Sequence, residues 1–240
     1  MTSEINKKRV PPARPQSRTA RAAEWLIPSG LILLSIVPAL AGTARLVELG
    51  SAAPVTASNA RFIAAPLPVV LHIVSVVIYS ILGAFQFASG FRRRHARWHR
   101  RAGWALVPAG LVAALSGLWM TLFYPWPAGD GVALYWLRLG FGSAMLAALL
   151  LGVDALRRRK FAEHGAWMIR AYAIGLGAGT QVFTHLVWLM LVGQPTEASR
   201  AVLMGAGWVI NLAVAEWIIR RHTRKARRAG RRVAVPAQTA

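Results

Sequence analysis

Residues 67–124 read LPVVLHIVSVVIYSILGAFQFASG, then FRRRHARWHRR, then AGWALVPAGLVAALSGLWMTLFY. Two long apolar runs flank a strip holding Arg92, Arg93, Arg94, Arg97, Arg100 and Arg101. An α-helix needs about 20 apolar residues to cross the hydrocarbon core of a bilayer, at ~1.5 Å per residue. Barrel strands would alternate in character over roughly half that length. Each run therefore predicts a transmembrane helix. The arginines between them are too costly to desolvate and must remain together on one side of the membrane.

Working outward, the same pattern repeats. Apolar runs cover about 25–47, 67–90, 102–124, 133–156, 165–192 and 201–219. Basic residues alternate between the loops. The N-terminal tail carries six, the second loop six, the fourth loop four (Arg157, Arg158, Arg159, Lys160) and the C-terminal tail eight. On the other side stand only Arg45, Arg61 and Arg200. Lys and Arg accumulate on the cytoplasmic side of membrane proteins. The expectation is an all-α integral membrane protein: a bundle of six transmembrane helices over 25–219, N-in/C-in, in a bacterial inner membrane. Residues 1–24 and 220–240 read as basic cytoplasmic tails, disordered before Glu24 and after Arg224. Ala39-Leu40-Ala41 has the form of a signal-peptidase site after an apolar core. Pro28, Pro38 and the long basic leader argue for a retained first span.

Composition narrows the function classes. The formal charge is +21, yet it falls in four strips beside apolar runs, which favours anionic lipid over nucleic acid as the partner of the basic surface. With no cysteine, the chain has no disulfide, thiol nucleophile or cysteine-held iron–sulfur cluster. Eight acidic residues are few for a carboxylate metal cage. Walker, HExxH and GxSxG patterns are absent. Gly175 to Gly179 is glycine-rich, but its place in mid-membrane excludes a phosphate loop.

Ionisable residues inside apolar runs are costly and mark candidate sites. His72, Arg138 and His185 fall at one level near the charge-poor ends of the second, fourth and fifth runs. Gln181 sits one turn inward of His185. His99, His164 and Arg170 form a second group near the basic side, where Asp154 or Glu216 is available to neutralise Arg170. His72, Ser75, Tyr79 and Gln86 share one stripe of the second run. Ala171, Gly175 and Ala178 lie on the face joining His164 to His185, where small residues suit either a flat ligand or close helix packing. No span is clearly broken.

Gln86-Phe87, the arginine-rich loop ending His99-Arg100 with Gly103, and His164 with Trp167, Met168, Ile169, Arg170 and Tyr172 together resemble the bacterial membrane family called domain of unknown function 2306. The resemblance covers roughly residues 65–190. Here Trp104 follows the glycine of the first motif where members commonly have a basic residue. Gln181-Val182 stands where they tend to carry an arginine. The resemblance implies a multi-pass membrane fold and brings no activity.

Two functions are expected from the polar residues. The first is a haem b electron-transfer protein linked to quinol. His72 and His185 would be axial iron ligands and Arg138 would lie near a propionate, with His99, His164 and Arg170 forming a second haem or quinone site. The alternative is a non-redox binding or transport protein for an anionic lipid or small molecule, or an accessory membrane subunit.

Overall fold

The computed structural model describes residues 18–51 and 53–234. In chain order the helices are α1 (Arg18–Gly50), α2 (Ala60–Ala64), α3 (Pro66–Ala84), α4 (Ser89–Arg94) and α5 (Ala96–Phe123). They continue with α6 (Val132–Arg157), α7 (Phe161–Gly175), α8 (Gly177–Leu191) and α9 (Glu197–Ala234). Among the described residues there is no strand. Among the described residues five helices are long and apolar enough to cross a membrane, or six spans if the bent pair α7–α8 counts as one.

The spans close into a ring. Helix α3 packs between α1 and α5, α5 packs on α6, α9 packs on α6, α7 and α8, and α8 returns to α1. Helix α7 also reaches α3, placing Tyr172 in the core beside Tyr79 and Leu149. Close approach there needs a missing side chain. A Cβ on Gly83 would lie 2.3 Å from the Tyr172 ring. The outside of the bundle is as apolar as its interior, with Leu26, Leu33, Leu71, Met190 and Val202 exposed, as a lipid-facing surface requires.

Three boundaries differ from the sequence expectation. Helix α1 begins at Arg18, and α9 continues to Ala234. Arg and Ala dominate both extensions and are strong helix formers, so helix outlasts hydrophobicity there. The expected disorder of residues 1–17 and the tail residues 235–240 lie outside the described residues. The α-helix of the second span ends at Ala84, and the last residues of the span, with Gln86, form a 3-10 turn over Phe85–Phe87.

The main correction is the fifth span. It is broken at Leu176, where α7 and α8 meet at a bend of 42°. Glycines on both sides of Leu176 supply the cause: they weaken the helix and let neighbours press in. A Cβ on Gly177 would lie 2.3 Å from Trp208 Nε1, and one on Gly179 would lie 2.3 Å from the Leu34 carbonyl. Gly177 and Gly179 are thus close-packed, and on the face of Ala171, Gly175 and Ala178 both roles stay open: Ala171 is fully buried, while Gly175 and Ala178 line a cavity. Asn211 of α9 closes the break. Its Nδ2 donates to the Ala173 carbonyl (3.0 Å), and its Oδ1 accepts from Thr180 Oγ1 (2.6 Å). One side chain thus ties the end of α7 to the start of α8.

Candidate functional site

A cavity of about 380 Å³ opens at the charge-poor end of the bundle and descends to this break. Its mouth is formed by loops and first turns. Arg61 comes from α2, and Trp126 and Asp130 come from the loop after α5. Arg138 comes from α6. Deeper, α3 contributes His72, Val76 and Tyr79, spaced so that they share one helical face. Gly175, Ala178, Gln181 and Trp208 form the floor.

The mouth is held by ion pairs. Asp130 is almost wholly buried and bridges Arg138 and Arg200, one carboxylate oxygen to each. The second bond, Arg200 Nε to Asp130 Oδ1, is 2.8 Å. The Arg61 guanidinium donates to the Pro125 carbonyl (3.3 Å) and lies 4.5 Å from the centre of the Phe62 ring. Burial lowers its pKa from the usual arginine value, as do Arg138 and Arg45, while Asp130 opposes them. An arginine remains cationic at neutral pH even so. Glu197 sits against Gly131, since a Cβ there would overlap its carboxylate.

His72 donates Nδ1–H to the Ala113 carbonyl at 2.9 Å, because a carbonyl can only accept. The neutral ring therefore carries its lone pair on Nε2, which has no hydrogen-bond partner among the described residues. His185 is placed differently. Its Nδ1–H turns back to the Gln181 carbonyl of its own helix (2.8 Å), and it does not line the cavity. The cavity therefore brings together His72, Arg138 and Gln181 and leaves His185 outside.

At the basic end, His99 Nδ1 bonds Gln86 Oε1, and His164 donates Nδ1–H to the Gly152 carbonyl (2.8 Å). The two rings are near enough for their charges to interact. Arg170 does not join them through a hydrogen bond. It grips Glu216 with two bonds, Nε to Oε1 and a terminal nitrogen to Oε2 (3.1 Å), and lies 4.6 Å from the Trp167 ring centre. Glu216 is thus the neutralising partner, while Asp154 pairs with Arg158 on its own helix. Among the described residues no group of three or more His, Cys, Asp or Glu is placed to hold a metal ion.

Sequence reasoning passed over Asp130, Asn211 and Arg61 as site residues. Each had a signal: a lone acid eight residues before Arg138, a lone amide inside an apolar run, and an arginine on the charge-poor side. No curated protein and no solved structure matches this chain. All six histidine and arginine candidates fall within residues 69–219, the stretch matched by the family model described as predicted membrane protein, domain of unknown function 2306, and the chain belongs to that family.

Proposed function

We propose that this protein binds a small monoanionic amphiphile, of the fatty-acid class, in the cavity at its charge-poor end, as a binding or transport protein. The observation that supports it most is the division of the lining. Arg61 and Arg138 stand at the mouth, while Val76, Leu118, Met145 and Ile174 line the way down. Asp130 pairs with Arg138 and Arg200, and among the described residues Arg61 at the mouth bonds only the Pro125 carbonyl. Counted with Glu197 beside Gly131, three cations face two carboxylates, one positive charge in excess for one anion. A broken span beside a polar cavity is also a common setting for transporter sites.

Isothermal titration of octanoate into the protein in lipid nanodiscs tests this. Saturable binding is expected, weakened roughly tenfold or more by Arg61→Ala, since a charge-assisted hydrogen bond is lost. Methyl octanoate, which lacks the charge, should not compete. No saturable binding, or equal binding of the ester, overturns the reading.

A second reading is a haem b protein exchanging electrons with a quinone, with His72 and His185 as axial ligands, Arg138 near a propionate, and His99, His164 and Arg170 at a second site. It draws support from the tautomers. In His72, His185 and His164 a backbone carbonyl holds Nδ1–H, leaving Nε2 as the ligating atom. The position of His185 away from the cavity ranks it second. A Soret band in protein purified from haem-replete cells would support it, and a colourless preparation would exclude it.

A further inference from the structure

We infer that the ligand of this cavity carries a hydroxyl at the end remote from its anionic group, so that an oxygen-tipped acid, not a plain acyl chain, is the ligand. This rests on the anion reading above. Three tyrosines are buried among the described residues. Tyr172 donates to the Ser80 carbonyl (2.6 Å) and Tyr124 to that of Ala65. Tyr79, only 6% exposed, has no partner for its hydroxyl among the described residues. Its ring is wedged between two glycines: a Cβ on Gly110 or Gly175 would lie 2.8 or 3.0 Å from a ring carbon. Held this way, the ring has no room to swing toward another acceptor.

Gln181 repeats the pattern from the opposite side. It is 8% exposed and donates Nε2 to the Met204 carbonyl at 2.9 Å, while Oε1 is left without a partner. Neither polar atom is sealed in. Among the described residues, the fully enclosed unpartnered side-chain atoms are Gln86 Nε2 and Trp188 Nε1. Both Tyr79 and Gln181 line the cavity. Buried polar groups in native structures are normally paired. A methyl terminus would cover a donor and an acceptor and pair neither. A hydroxyl can pair with either atom, accepting from Tyr79 or donating to Gln181, whereas a carbonyl can pair only with Tyr79. Tyr79 lies seven residues from His72 on one face, roughly 10 Å deeper, a span suited to a chain of medium length.

The test compares octanoate with ω-hydroxyoctanoate by the same nanodisc titration, on the wild-type protein and on Tyr79→Phe. The hydroxy acid should bind the wild type about three- to tenfold more tightly, the value of one hydrogen bond. Tyr79→Phe keeps the wedged ring and should reduce that preference, read as the ratio of the two affinities within the variant itself. Equal or tighter octanoate binding by the wild type overturns the inference and leaves the anion reading intact, and this arm needs no variant to fold. A hydroxyl preference that survives Tyr79→Phe undiminished also overturns it. Binding of neither acid removes both readings together.

Discussion

Arg170 and Glu216 show how a single charge pair is fixed inside a bundle. Arg170 lies nearly two turns into the fifth span, where an unpaired guanidinium is costly. Glu216 meets it with two hydrogen bonds, and the Trp167 ring covers it. Glu216→Gln keeps the shape but leaves the cation with a neutral partner. The change is expected to destabilise the protein by about 1–2 kcal/mol, because both side chains are partly exposed and the pair is screened. Thermal unfolding in detergent should show a lower midpoint. Replacing both residues, Arg170→Met with Glu216→Leu, should recover part of that loss, since no buried charge remains. A double variant less stable than Glu216→Gln would argue against the account. At this scale the sequence narrowed the partner of Arg170 to two acids. It could not choose between them, because Asp154 has Arg158 four residues away on its own helix, a local pairing that competes with any distant one.

The fifth span illustrates what an element-level reading misses. Its apolar length and its glycines were both plain in the sequence, but glycine in a membrane helix serves close packing as readily as breakage. The break follows from what packs there. Trp208 fills the space beside Gly177, the Leu34 backbone lies over Gly179, and Asn211 takes up the Ala173 carbonyl. None of these neighbours is local in sequence, so periodicity carried no trace of them. The cavity was illegible for the same reason, since seven helices contribute to it. Gly177→Ala separates the two effects of glycine. On propensity alone, alanine in a helix should stabilise by about 1 kcal/mol. The added methyl, however, would lie 2.3 Å from Trp208 Nε1, and overpacking of this kind costs about 1–3 kcal/mol. The packing effect should win and lower the melting midpoint. In a Trp208→Leu background the same substitution should become neutral or stabilising. A fall of equal size in both backgrounds would show that the break, not the indole, makes alanine unwelcome.

For the whole molecule, the ring of spans and the distribution of charge constrain each other. Among the described residues, the basic strips between α3 and α5 and between α6 and α7 lie at one end of the bundle, and the cavity mouth, formed around the loop after α5, lies at the other. This much was legible from counting, because charge and hydrophobicity act residue by residue and need no knowledge of packing. The functional consequence depends on which end faces the cytoplasm. If the positive-inside bias governs this chain, Arg61 and Arg138 meet ligand arriving from outside the cell membrane, and the paired Arg170 lies toward the interior. The sequence contains no cysteine, so single cysteines can be introduced without altering a background thiol. Gln194, exposed in the loop between α8 and α9, reports one end, and Arg97, exposed in the first turn of α5, reports the other. In spheroplasts, a membrane-impermeant maleimide should label Gln194→Cys at once and Arg97→Cys only after lysis. The reverse pattern would invert the bundle and turn the cavity toward the cytoplasm, making any ligand an intracellular one. Labelling of both before lysis would instead mean that the span count between these two positions is even, which would remove one of the crossings formed by α5, α6 and the bent pair.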